Sequence, residues 1–320
     1  MKQLPRKPTV LLVGASGFVG QSVLQWLAAR GEANLRVLTR TITVLKNYQA
    51  SIYVGDITDC ATLGPAMAGV DLVVNAASYT GSDPLKAEQV NVEGTRNLLE
   101  AAALAAVRGF VQVSTTAVYG TGPHRGETET SLRCGPESVV SSTRASAEQL
   151  VLDAGGTVIR AGLIYGAGDR WFIPSLVRMA TILGGPVGDG DSKLSVIDVE
   201  HLGRLIAGIL GADLRGAGIG PGPFHAAEPV PVSVGQILRH VEARVTGPRW
   251  SARTDSASSR ALLLTSGFTS HQVALLSEDH WYQSGRLWTL TDLQPPRFGF
   301  SAVAAEWYRR AARQKLPHGC

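Results

Sequence analysis

Gly14, Gly17 and Gly20 stand three residues apart in Val-Gly-Ala-Ser-Gly-Phe-Val-Gly, after an apolar run (Thr9 to Val13) and at the start of an amphipathic stretch. In that setting the triplet reads as a phosphate-binding corner. The first glycine permits a tight turn, the second lets backbone approach a pyrophosphate, and the third lets the helix pack closely on the strand. Unsatisfied N–H groups at the helix N-terminus then face the anion. The expected contacts are Gly14, Ser16, Gly17, Phe18 and Val19. Roughly 20 residues further on, NAD-selective sites place a carboxylate on the ribose hydroxyls. This chain has Thr39 and Arg40 there. A guanidinium pairs with a 2′-phosphate that a carboxylate would repel. Thr39 and Arg40 therefore predict NADP(H); the plain alternative for Arg40 is an exposed surface arginine.

Elements must exist to hold this corner. Short apolar runs at Thr9–Val13, Leu35–Thr39, Ser51–Val54, Leu72–Asn75, Gly109–Val113 and Thr157–Arg160 alternate with helical patterns, the clearest at Val19–Ala29 and Leu85–Ala106. Near-continuous apolar strands fit a parallel sheet covered on both faces, and right-handed crossovers make it doubly wound. The expected fold is α/β, a doubly wound parallel Rossmann sheet over residues 1–165 with a smaller C-terminal substrate lobe over 166–320. Glycine and proline thicken in that second half, where Glu200–Leu210 and Ser233–Val245 keep helical patterning and some segments can return to the sheet.

Composition excludes several classes. With 44% hydrophobic and 18% charged residues the chain is globular, and its net charge of +4 over 320 residues is small. No basic stripe with interleaved aromatics argues for nucleic acid; Arg309, Arg310, Arg313 and Lys315 read as a solvated helix face. Cys60, Cys134 and Cys320 are far apart and in no metal-ligand spacing, so free thiols and no metal are expected. Lys2, Arg6 and Lys7 precede an apolar run as in a signal peptide, but the glycines inside that run argue against one. No run approaches the roughly 20 apolar residues of a membrane span. A cytoplasmic protein without membrane or nucleic-acid partner is expected, its oligomeric state open.

Further segments carry a family resemblance. Gly55-Asp56-Ile57-Thr58-Asp59, Asn75-Ala76-Ala77-Ser78, Asn91-Val-Glu-Gly94-Thr95, Val113-Ser-Thr115-Thr-Ala-Val-Tyr119-Gly, Arg160-Ala-Gly-Leu163-Ile-Tyr165-Gly-Ala-Gly168-Asp169 and Ile197-Asp-Val199 follow in order. Together with the glycine corner they resemble extended short-chain dehydrogenases and NAD-dependent epimerase/dehydratases, in register from residue 8 to about 210. The resemblance implies adenine contact at Asp56 and Ile57, cofactor contact at Ala76, Ala77, Ser78 and Leu163, and a catalytic Ser/Thr position at Thr115.

The family's Tyr-x-x-x-Lys pair is missing. Aligning Arg144-Ala-Ser-Ala147-Glu148-Gln-Leu with the family's Lys-x-x-x-Glu helix puts Arg144 at the lysine position and Val140, four residues earlier, at the tyrosine position, and none of the seven tyrosines is followed four residues later by lysine. Valine transfers no proton, and arginine is effectively never deprotonated, so Arg144 is expected to bind ribose only. That excludes the usual epimerase route. Ketone reduction survives the loss, since one general acid contributes about 10²–10⁴-fold. An aromatic polyketide ketone flanked by phenols can share its own proton, with a hydrogen bond from Thr115. The resemblance thus points to NADPH-dependent ketoreductases of antibiotic pathways that act on angucyclinone-like ketones without the pair. The small-molecule partner is an aromatic ketone, and Trp171, Phe172, Trp281 and Tyr282 are candidates for lining its site or for core. A non-catalytic NADP-binding sensor and an epimerase with a displaced acid (Tyr79, Tyr165 or His201) are the rivals. His124 is expected to face solvent, and Asp169 and Arg170 to serve the site or form a surface or inter-lobe ion pair.

Overall fold

The computed structural model describes residues 6–41, 48–214, 219–251 and 255–314; Lys2, Lys315 and Cys320 lie outside them. In chain order the strands are β1 (Thr9–Val13), β2 (Asn34–Thr39), β3 (Ala50–Val54), β4 (Leu72–Asn75), β5 (Gly109–Thr115), β6 (His124–Glu127), β7 (Thr157–Ala161), β8 (Leu163–Tyr165), β9 (Lys193–Leu194), β10 (Val196–Asp198), β11 (Gly222–Ala226), β12 (Val232–Ser233) and β13 (His280–Tyr282). Seven form one parallel sheet in the order β11-β7-β5-β4-β1-β2-β3. The six expected strands are all present, displaced by at most two residues at an end.

Both faces of the sheet are covered, which is why β1 and β4 are buried along their whole length. Helices Phe18–Arg30 and Val199–Leu214 cover one face, with Val23, Leu24, Leu202 and Ile206 in its core. Helices Leu63–Met67, Gly94–Leu104 and Val139–Asp153 cover the other, through Met67, Leu98 and Val151. Strand order reverses between β1 and β4, the switch point where open α/β sheets take ligands.

The glycine- and proline-dense second half supplies both Val199–Leu214 and β11 to this sheet. Gly-Pro-Phe-His-Ala gives little strand signal, and Pro223 is accommodated because β11 is an edge strand. The remaining segments pack around a second core that includes Phe172, Leu176, Ile237 and Leu238. A small sheet, β12-β9-β13-β6, joins this lobe to the loop after β5. No helix among the described residues is long and apolar enough to cross a membrane. Arg309 and Arg310 lie on the terminal helix Ala302–Gln314, both paired to Glu306.

Candidate functional site

The glycine corner sits at the switch point. Gly14 leaves β1 with φ +80°, and a Cβ there would lie 2.5 Å from the Ala77 nitrogen and 2.7 Å from the Ala76 carbonyl carbon. A Cβ on Gly20 would overlap the Gly14 carbonyl. Gly17 differs: its Cβ would meet only the Gly14 oxygen, at 3.3 Å, so the cradle is open on its outer side. Gly17 caps helix Phe18–Arg30 without a side chain, and no acidic residue stands in the first turn. Bare N–H groups with no competing carboxylate fit a dinucleotide pyrophosphate.

The other expected contacts gather along the same edge. Thr39 is buried at the end of β2 and Arg40 is exposed on the bend beyond it, free to reach a 2′-phosphate. Asp56 Oδ1 accepts from the N–H and hydroxyl of Thr58, which fixes the turn after β3. The Ile57 side chain is buried against Gly94, so only its backbone is placed for a ligand. Ala76 and Ala77 are held through Val13 and Asn75, and the Ser78 hydroxyl lies on Asn91. Leu163 is half-buried on β8.

At the C-terminal end of β5, Thr115 Oγ1 accepts from the Ala117 N–H at 3.2 Å, capping the turn Thr116–Tyr119. Its hydroxyl hydrogen remains available. The helix Val139–Asp153 begins with a reciprocal Ser138–Ser141 cap. Arg144 on that helix donates to the Val113 carbonyl of β5 at 3.3 Å. Burial pushes its guanidinium down to about 10, partly opposed by the Glu148 carboxylate, so it stays a cation at neutral pH. Val140, one turn earlier on the same face, is half-buried and offers only methyl groups.

Behind this edge lies a polar network that no motif or spacing in the chain announces. Arg160 and Glu148, 6% and 2% exposed, pair at 2.7 Å. Arg160 also donates to the Tyr119 oxygen at 2.8 Å. His225 Nδ1 faces the Gln283 carbonyl at 3.0 Å and must carry the hydrogen there, so Nε2 accepts from the Tyr119 hydroxyl at 2.7 Å. His280 is fixed likewise: Nε2 accepts from Gly122 N–H and Nδ1 faces the Glu278 carbonyl. His124 Nδ1 meets the Tyr282 hydroxyl at 2.8 Å.

Several expectations are corrected. His124 does not face solvent; it is 7% exposed because β6 pairs with β13 and carries it inward. Asp169 forms no ion pair among the described residues: 3% exposed, it accepts from the N–H groups of Trp171, Phe172 and Ile173 and from the Tyr308 hydroxyl, capping the next helix. Arg170 is exposed. The displaced-acid candidates are occupied elsewhere. Tyr79 folds its hydroxyl over Gly81 and accepts from Asp83 N–H, while fully buried Tyr165 donates to Glu228, which His201 also approaches. Phe172 and Tyr282 are buried and Trp171 is half-buried; Trp281, also half-buried, stacks on Gly126. Cys60 and Cys134 are exposed free thiols. Among the described residues no group of three or more His, Cys, Asp or Glu is placed to hold a metal ion.

The imidazoles make an acid-stability prediction. Burial, first of all, lowers His124, His225 and His280 below the ordinary 6.5, although carboxylates and carbonyls nearby pull the other way. The unfolded chain then binds protons that the folded one refuses, so stability is full above about pH 6.5 and declines as pH falls through the lowered values. Urea unfolding should show a midpoint that drops steadily below that pH. A midpoint level down to about pH 5 would contradict it.

The family model described as the NAD dependent epimerase/dehydratase family matches residues 10–216. The chain is 33% identical over 219 residues to 4-hydroxy-2-methyl-3-oxo-4-farnesyl-3,4-dihydroquinoline-1-oxide ketoreductase of Stigmatella aurantiaca, covering 65% of each chain. It is 33% identical over 215 residues to dTDP-4-dehydrorhamnose reductase of Streptomyces griseus, covering 63% of this chain and 62% of the relative. The chain thus spans a little under two thirds of these relatives' own lengths. A short-chain dehydrogenase/reductase superfamily protein from Agrobacterium tumefaciens, solved with bound NAD, superposes with a TM-score of 0.72 at 21% identity, covering 96% of this chain and 98% of that one; this likeness concerns the fold. A switch-point glycine cradle, the ordered segments along its edge and a family match over most of the sheet agree: the chain belongs to the NAD dependent epimerase/dehydratase family.

Proposed function

We propose that the chain is a cytoplasmic NADPH-dependent ketoreductase that reduces a carbonyl of an aromatic, angucyclinone-like polyketide in antibiotic biosynthesis. One observation carries this reading. Thr115 stands at the end of β5 and Arg144 donates to the β5 carbonyl of Val113, while Val140, one turn before Arg144 on the same helix, offers only methyl groups. Such a site can polarise a carbonyl and hold a ribose, and Val140 cannot take the proton that would start an alcohol oxidation.

The chain's own residues divide the work. Backbone from Gly14 to Val19 holds the pyrophosphate, Asp56 and the Ile57 backbone hold adenine, and Arg40 takes the 2′-phosphate. Ala76, Ala77 and Ser78 form the floor, Arg144 binds ribose hydroxyls, and Leu163 supplies an apolar wall. When bound, the reduced nicotinamide supplies hydride. The Thr115 hydroxyl, with its hydrogen free, stabilises the developing alkoxide. A phenol next to the ketone hands over its own proton, which removes the need for a tyrosine.

Incubation with NADPH and a panel of phenol-flanked aromatic ketones should give the alcohol, with loss of NADPH absorbance. Binding without turnover across the panel would move the chain to the sensor reading. Cofactor choice has its own test: Arg40→Gln should weaken NADPH roughly ten- to a hundredfold, the worth of a charge-assisted bond, and leave NADH unchanged. Equal affinity of the unaltered protein for both cofactors in a fluorescence titration rejects the assignment.

A further inference from the structure

We propose that Tyr308, backed by Trp307, is a positioning residue for dinucleotide binding: from the terminal helix Ala302–Gln314 it fixes the loop Gly166–Asp169 against the glycine corner; this rests on the reading of that corner as the dinucleotide cradle.

The loop meets the corner at Phe18. A Cβ on Gly168 would lie 2.9 Å from Phe18 Cδ2 and 3.2 Å from Cε2, so the loop backbone lies directly on the ring. Phe18 opens helix Phe18–Arg30, whose first N–H groups are to face the pyrophosphate. Its side chain is half-buried, whereas Ser16 and Gly17 before it are exposed. A loop that shifts takes this wall away from the first turn of the helix.

The terminal helix holds the loop at three points. The Tyr308 hydroxyl accepts from the Gly166 N–H at 2.8 Å and donates to Asp169 Oδ2 at 2.9 Å, so one oxygen ties the first residue of the loop to the last. Trp307 Nε1 donates to the Asp169 carbonyl at 3.1 Å. Asp198 and Val199 back the first residue: a Cβ on Gly166 would lie 3.0 Å from Val199 Cγ1 and 3.3 Å from both Asp198 carboxylate oxygens.

Packing alone does not ask for a tyrosine at 308. The residue is 4% exposed and its ring lies 4.9 Å from that of Phe300, surroundings that phenylalanine would fill. A buried hydroxyl is tolerated only where it is hydrogen-bonded. Burial, with the Asp169 carboxylate beside it, raises this phenol above its ordinary range, so it keeps the hydrogen that Asp169 accepts. Helix capping does not need it either, since Asp169 retains the N–H groups of Trp171, Phe172 and Ile173. What the hydroxyl adds is the span from Gly166 to Asp169.

The test is a double-mutant cycle, read by NADPH and NADH fluorescence titrations of the full chain, Tyr308→Phe, Phe18→Ala and the pair. Binding by the unaltered protein checks the cradle reading by itself. Tyr308→Phe should weaken the tighter-bound dinucleotide about tenfold, the scale of one hydrogen bond. In the Phe18→Ala background, where the loop no longer reaches the corner, the same change should cost less than about twofold. A tyrosine serving only the fold would lower the melting temperature and leave the two affinity losses equal. Should Tyr308→Phe fail to fold, Trp307→Phe, at a half-buried position, carries the same cycle. An unaltered protein that binds neither dinucleotide overturns the cradle reading and the proposal with it. A loss under about twofold in the parent background, or equal losses in both backgrounds, overturns the positioning role alone.

Discussion

Arg160→Met should lower the stability of the folded chain by about 3–5 kcal/mol, the cost of leaving a buried charge without its partner. Glu148 is 2% exposed, its Oε2 is held by Arg160, and its Oε1 has no hydrogen-bond partner. Removing the guanidinium leaves a buried carboxylate without a hydrogen-bond donor, with Arg144 as its remaining cationic neighbour, and removes the donor to Tyr119 as well. That phenol is already pushed up to about 12 by burial, with Arg160 pulling it down, so the loss raises it further and keeps it neutral. The double variant Glu148→Leu with Arg160→Met should recover most of the stability, because two apolar side chains carry no desolvation penalty. Denaturant unfolding of the three proteins decides the matter. A single variant within about 1 kcal/mol of the parent, or a double variant as weak as the single, would show that the pair is dispensable.

Gly17→Val should abolish dinucleotide binding and leave the fold intact, whereas Gly20→Val should damage the fold itself. Gly17 has φ −78° and ψ 169°, a conformation that valine accepts, and its Cβ would touch only one backbone oxygen at 3.3 Å. The new methyl groups would fill the outer side of the cradle where the pyrophosphate is to lie. A loss of at least about a hundredfold in cofactor affinity is expected, or about 2.7 kcal/mol, with an unchanged melting temperature. At Gly20 the Cβ would drive into the Gly14 carbonyl and lie 2.9 Å from Ala15 Cα, both backbone atoms that cannot turn aside. Overpacking of that kind costs about 1–3 kcal/mol and separates helix from strand. Paired thermal melts and NADPH titrations read both effects. A Gly17→Val protein that still binds NADPH tightly would place the phosphates elsewhere.

The six parallel strands, the glycine corner, Arg40 beyond β2 and the loss of the tyrosine–lysine pair are legible in the sequence. Each is written locally: apolar runs specify strands, glycine spacing specifies a turn, and Val140 and Arg144 stand at fixed offsets on one helix. The strand β11 escaped because an edge strand containing Gly and Pro needs neither strong propensity nor alternation. The partners of side chains were not legible at all. His124 lies in a Gly/Pro loop by sequence and becomes a buried strand residue only when β13, far along the chain, pairs with β6. Asp169 looked like a site or inter-lobe charge and is a helix cap, because the Trp171–Ile173 backbone bends over it and Tyr308 closes the other side. Sequence by itself determined the sheet, the cofactor corner and the absence of the usual proton donor, all set by interactions within a few residues. Only the tertiary structure decided which phenols and imidazoles meet behind Thr115, because burial and hydrogen-bond direction arise from segments that touch after the two lobes close on each other.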